Sequence, residues 1–82
     1  MDDKAIFEKV LGIIKPFVRN EEAFNGAHAD TRILQDLGVN SARLVDIVLA
    51  FEDEFGIEID DETADTVRTV GAAVAAIRAK SS

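Results

Sequence analysis

The stretch that most constrains how this chain can fold lies around two glycines, Gly38 and Gly56, and reads LGVNSARLVDIVLAFEDEFGIEI over residues 37–59. Within it Leu44, Ile47, Val48, Phe51 and Phe55 recur at spacings of three and four. At about 100° per residue they share one narrow face of a helix. Asn40 or Ser41 stands where the first free backbone amides need an oxygen, and Gly56 followed by Ile57 suits a left-handed stop with an apolar contact back onto the last turn. The pattern predicts a helix of about four turns with Ser41 on its threshold. Taken alone, a serine in that place is a helix cap.

A second set, Ala42, Val45 and Leu49, falls on a different face, flanked by Asp46, Glu52 and Asp53. A helix that only fills a core has no need of it. The net charge of −7 is also concentrated here: residues 44–67 hold nine acids and no base. Such a segment repels phosphate backbones, which argues against nucleic-acid binding. An isolated acidic run is usually a solvated face. Carboxylates bordering an exposed apolar strip point instead to docking of basic partners.

Leu37-Gly38, Asn40-Ser41-Ala42 and the acidic end Glu52-Asp53-Glu54-Phe55-Gly56-Ile57-Glu58-Ile59 together resemble the acyl carrier protein family. There the second helix begins with Asp-Ser-Leu after a Leu-Gly turn and ends in Glu-Glu-Phe-Gly-Ile-Glu-Ile. The segment Asp65–Val74 is similar to the family's link between its third and fourth helices. The resemblance implies a small all-α bundle of three main helices plus a short third helix, with a long loop after helix I. It also implies that Ser41 carries a covalent 4′-phosphopantetheine arm, transferred from coenzyme A by a phosphopantetheinyl transferase. Asn40 and Ala42 stand where the family has Asp and Leu, and Arg43 adds a positive charge. These departures suggest a specialised pathway.

At 82 residues the chain has room for one domain, residues 1–82, near the size at which a single core suffices without staples. It has no cysteine, so any thiol chemistry must be imported on a cofactor. Its apolar segments are short and charge-interrupted, and Met1-Asp2-Asp3-Lys4 lacks the form of a signal peptide; a cytoplasmic protein without a membrane span is expected. Asp2 or Asp3 can cap a first helix over residues 4–15, with Ile6, Val10, Ile13, Ile14 and Phe17 inward and Phe7, Leu11 and Val18 widening that face. Pro16 should end or bend it. Residues 19–32 show no sustained period and read as a long loop around Asn25-Gly26, plugged by Phe24. Ile33 and Leu37 can form one turn beneath Ser41, and Ile57 and Ile59 an extended connector with both side chains inward. The run at residues 60–63 should cap a short helix reaching Val67, and Thr69 a last helix carrying Val70, Val74 and Ile77, with Ser81 and Ser82 frayed.

No catalytic site stands out. Ser41 has no G-x-S-x-G elbow, and His28 is a lone imidazole in an unrelated loop. Asp60, Asp61, Glu62 and Asp65 lack the EF-hand spacing with its central glycine, so no metal site is expected. The chain therefore reads as a non-enzyme. Two classes of function remain. In one it is a carrier of an acyl or aminoacyl thioester, loaded by a dedicated ligase and presented, as a monomer, to downstream transferases with basic docking patches. In the other it is an unmodified helical adaptor using the strip at Ala42, Val45 and Leu49. Partner docking would fall on Ala42, Arg43, Val45, Asp46, Leu49, Glu52 and Asp53. Ile6, Phe7, Phe17, Phe51 and Phe55 are bulky enough to fill much of a small interior, which favours short or polar cargo.

Overall fold

A computed structural model describes residues 2–81. Five helices appear among them: α1 (Asp3–Ile14), α2 (Glu21–Asn25), α3 (Leu44–Phe55), α4 (Asp61–Ala64) and α5 (Val70–Ser81). Short 3-10 turns extend α1 through Lys15–Phe17 and precede α3 at Ser41–Arg43. The architecture is the expected small all-α bundle. α1 packs on both α3 and α5, so the three long helices enclose one core.

The boundaries follow local chemistry. Asp2, not Asp3, caps α1, its Oδ1 accepting the Ala5 N–H at 2.8 Å. Pro16 has no N–H to continue the helix, which tightens into the 3-10 turn at that point. Ile6, Val10 and Ile14 are buried, while Phe7, Leu11, Ile13, Phe17 and Val18 pack half-buried around them. On α3, Ile47, Val48 and Phe51 are buried, and Leu44 and Phe55 lie at the margin of the same face. Thr69 caps α5 by accepting the Ala72 N–H at 3.0 Å, and Val70, Ala73, Val74, Ala76 and Ile77 are buried beneath it. Small alanines let α5 approach α1 closely at little entropic cost.

Three expectations change. Residues 19–32 are not a bare loop: Asn20 accepts the Ala23 N–H at 3.1 Å and starts α2, whose first turn carries Glu21 and Glu22. Carboxylates at a helix N-terminus favour such a turn even without an apolar stripe. Phe24 does pack half-buried against the core. α4 stops at Ala64 instead of reaching Val67; residues 65–66 turn, and Val67 is buried beyond the helix. Ser81 remains helical because its Oγ donates to the Ile77 carbonyl at 2.7 Å, whereas Ser82 lies outside the described residues.

The segment that leads to the central helix is tied from afar. Ile33 N–H donates to Arg68 O and Val70 N–H to Thr31 O, both at 3.0 Å, and an isolated antiparallel bridge joins Arg32 to Thr69. Leu37 O accepts the N–H groups of Arg19 and Asn20. Ile33, Leu37 and Val39 are buried as a result, and the chain enters α3 from a fixed position.

Candidate functional site

The 3-10 turn Ser41–Arg43 that leads into α3 is started by Asn40. Its Oδ1 accepts the Ala42 N–H at 2.9 Å, so the capping oxygen comes from Asn40 and not from Ser41. Ser41 is exposed, and its hydroxyl makes no hydrogen bond among the described residues. The ordinary structural reason for a serine at a helix start is therefore absent. Its neighbours leave it open: Ala42 is small and exposed, and Gly38 turns the chain with φ of 71°, a conformation available to glycine. The free hydroxyl also sits at the positive end of a twelve-residue helix, which favours an attached anion.

Beside Ser41 lies a groove of about 330 Å³ between α3 and the connector to α4. Leu44, Val45, Val48, Leu49, Ile59 and Ala64 give it an apolar lining; Glu52, Asp61 and Asp65 bring carboxylates. It is an open surface groove, not an internal chamber. Among the bulky residues expected to crowd the interior, Ile6 and Phe51 are fully buried, and Phe7, Phe17 and Phe55 only in part. A slightly larger depression, about 360 Å³, lies between α1 and α5 near Phe7 and Arg78, away from Ser41.

The second stripe of α3 faces outward. Val45 is 64% and Leu49 54% exposed, the only large apolar side chains so placed among the described residues. Asp46 and Asp53 are exposed beside them. Three charged residues of this set are partly engaged within the chain. Arg43 pairs with Asp46 at 3.1 Å, and Glu52 Oε2 accepts the Ile59 N–H at 2.7 Å. The first is an exposed i,i+3 pair of small energetic weight. The second joins residues on either side of the Gly56 turn, where φ is 63°, and no sequence periodicity signals it. The groove-lining roles of Ile59, Asp61, Ala64 and Asp65 were likewise not singled out by the sequence.

α4 is held at its start by Asp60, whose Oδ1 accepts the Thr63 N–H at 2.9 Å. Hydrogen bonds from Thr63 keep the Asp60 carboxyl below its ordinary value of 3.8, and those from Arg32 do the same for Asp36. A lowered folded pKa gives stability that is present above the unfolded value and is lost as pH falls through the folded one. The melting temperature should thus hold above about pH 5 and fall below about pH 4. Thermal melts of Asp60→Asn and Asp36→Asn across that range check this, each variant showing a shallower acid decline than the parent.

His28 is exposed, its Nδ1 accepting the Asp30 N–H at 3.2 Å, and no cluster of three or more potential metal ligands occurs among the described residues. None of the described helices is long and apolar enough to cross a membrane.

The residues at Ser41 fit a covalently attached phosphopantetheine: an exposed hydroxyl with no internal partner, a helix start behind it and an apolar groove beside it. When bound, the group supplies the thiol that a cysteine-free chain lacks. The comparisons with known proteins bear on the family and its cofactor. Residues 4–77 match the family model described as "Phosphopantetheine attachment site". The chain is 38% identical over 71 residues to the mitochondrial acyl carrier protein of Saccharomyces cerevisiae, an alignment covering 84% of this chain and 57% of that relative. It therefore spans little more than half of the yeast protein's length. A solved structure of the acyl carrier protein from Enterococcus faecalis superposes with a TM-score of 0.79 at 36% identity, over 98% of this chain and 99% of that one. The chain belongs to the acyl carrier protein family, and its cofactor is covalent 4′-phosphopantetheine.

Proposed function

We propose that Ser41 is the attachment point and that the chain is a non-catalytic carrier, holding an acyl or aminoacyl group as a thioester and presenting it to successive enzymes. The observation that carries this reading is the free Ser41 hydroxyl: Asn40 does the capping, and Ser41 is left without a structural task. Residues 1–82 act as one carrier domain, working as a monomer in the cytoplasm, with a phosphopantetheinyl transferase, a loading ligase and downstream transferases as partners. Asn40, Ala42 and the Arg43–Asp46 pair favour a dedicated ligase in a specialised pathway. Expression with and without a phosphopantetheinyl transferase, followed by intact mass, tests the reading. One added phosphopantetheine supports a carrier; a protein unmodified by several transferases would instead be a helical adaptor.

Partners dock on the outward stripe of α3. Exposed carboxylates beyond a Debye length, about 8 Å at physiological ionic strength, act mainly on encounter, whereas apolar contacts hold the complex. Asp46→Lys with Asp53→Lys should lower the association rate with the transferase and flatten its salt dependence. Leu49→Ala should raise the dissociation rate on the order of tenfold while changing association little. Stopped-flow binding at several salt concentrations separates the two.

A further inference from the structure

The groove at Ser41 is closed on one side by a wall with little internal support. α4 is four residues long, too short to be stable alone, and of its side chains only Thr63 and Ala64 are even half-buried. It is tethered through the connector, where Ile59 is 8% exposed and turns its side chain into the core. The Ile59 backbone N–H has one acceptor: Glu52 Oε2, at 2.7 Å, reaching from the last full turn of α3 across the Gly56 stop. Glu52 and Ile59 both line the groove. The bond is short, charge-assisted and half-buried, the class of hydrogen bond that contributes most and is costly to leave unmade.

We propose that Glu52 is a positioning residue that latches the α3–α4 connector and so sets the wall of the groove for the distal part of a bound cargo. This rests on the carrier reading for the cargo, but the latch itself belongs to the unmodified chain. It separates Glu52 from the neighbouring carboxylates. Asp53 is an exposed charge and Asp46 pairs only with Arg43 on the surface of its own helix start, whereas one Glu52 oxygen is committed to the backbone of the next segment. Cargo long enough to enter the groove depends on the latch; cargo that ends at the thioester does not.

Two substitutions divide geometry from charge. Glu52→Gln removes the charge and keeps an acceptor at the same reach, whereas Glu52→Asp keeps the charge and is one methylene too short. In amide hydrogen exchange on the unmodified protein, Glu52→Asp should speed exchange at Ile59 on the order of tenfold and Glu52→Gln far less. Exchange at Val10 and Ile14 in α1 should change in neither, which separates a local latch from general destabilisation. In holo-protein loaded with octanoyl or acetyl groups, Glu52→Asp should accelerate hydroxylamine cleavage of the octanoyl thioester several-fold relative to the parent. The acetyl thioester and both Glu52→Gln thioesters should match the parent. The latch is overturned if Ile59 exchange is unmoved by Glu52→Asp, if Glu52→Gln has the larger effect, or if octanoyl and acetyl thioesters accelerate equally. Failure to load any variant, parent included, counts against the carrier reading alone, and the exchange at Ile59 then decides the latch.

Discussion

Ser41→Ala is expected to abolish phosphopantetheine attachment completely while changing folding stability by less than about 0.5 kcal/mol. The two halves of this result come from one arrangement. The Ser41 side chain is exposed and makes no hydrogen bond among the described residues, so its removal leaves no orphaned partner. The modification requires the hydroxyl itself. Asn40→Ala should behave in the opposite sense: losing the oxygen that accepts the Ala42 N–H costs about 1 kcal/mol, and the hydroxyl remains available. Transferase assays with intact mass, alongside thermal or urea unfolding of both variants, check the pair. A marked loss of stability in Ser41→Ala would mean that the serine has a structural role after all.

The second large effect is on the fold. Phe51 is the largest fully buried side chain, at 0% exposure, in the middle of the inward face of α3. Phe51→Ala removes its burial and leaves a cavity that the surrounding core can close only in part, a cost of about 3–5 kcal/mol. For a domain of this length each kcal/mol shifts the melting point by roughly 4–8 °C, so a drop on the order of 20 °C is expected. Because total stabilities are commonly about 5–15 kcal/mol, this variant approaches unfolding at ambient temperature. Calorimetry or circular-dichroism melts measure it. Leu49→Ala serves as the comparison, since Leu49 lies on the outward stripe at 54% exposure and should leave the melt nearly unchanged.

Phe51 and Leu49, two positions apart on α3, also mark what could be read from sequence. The inward and outward stripes of α3 follow from the helical period, and both faces appear where the spacing puts them. The caps at Asp2, Asn40, Asp60 and Thr69 depend on bonds to amides two or three residues ahead, so they too are visible as start signals, though the choice of Asn40 over Ser41 is made only by the folded backbone. α2 was not visible because five residues hold no period; its signal was the Asn20 cap followed by two glutamates. Glu52 to Ile59 spans seven residues and a left-handed turn, and the ties from Arg68 to Ile33 and from Thr31 to Val70 span far more. Contacts of that kind leave no local pattern. The proposal that Ser41 is the attachment residue rests on the family resemblance, since spacing alone makes Ser41 a cap.

The central claim is that the phosphopantetheine is borne by Ser41. Peptide mapping by tandem mass spectrometry on the wild-type protein, after treatment with a phosphopantetheinyl transferase, coenzyme A and magnesium, tests it most directly. The chain has three serines, Ser41 and the adjacent pair Ser81 and Ser82, so Ser41 falls on a different peptide from the other two. The account predicts one phosphopantetheine per chain, on the peptide containing Ser41 and on no other. Attachment at Ser81 or Ser82, or an unmodified Ser41 peptide after treatment with several transferases, would contradict it.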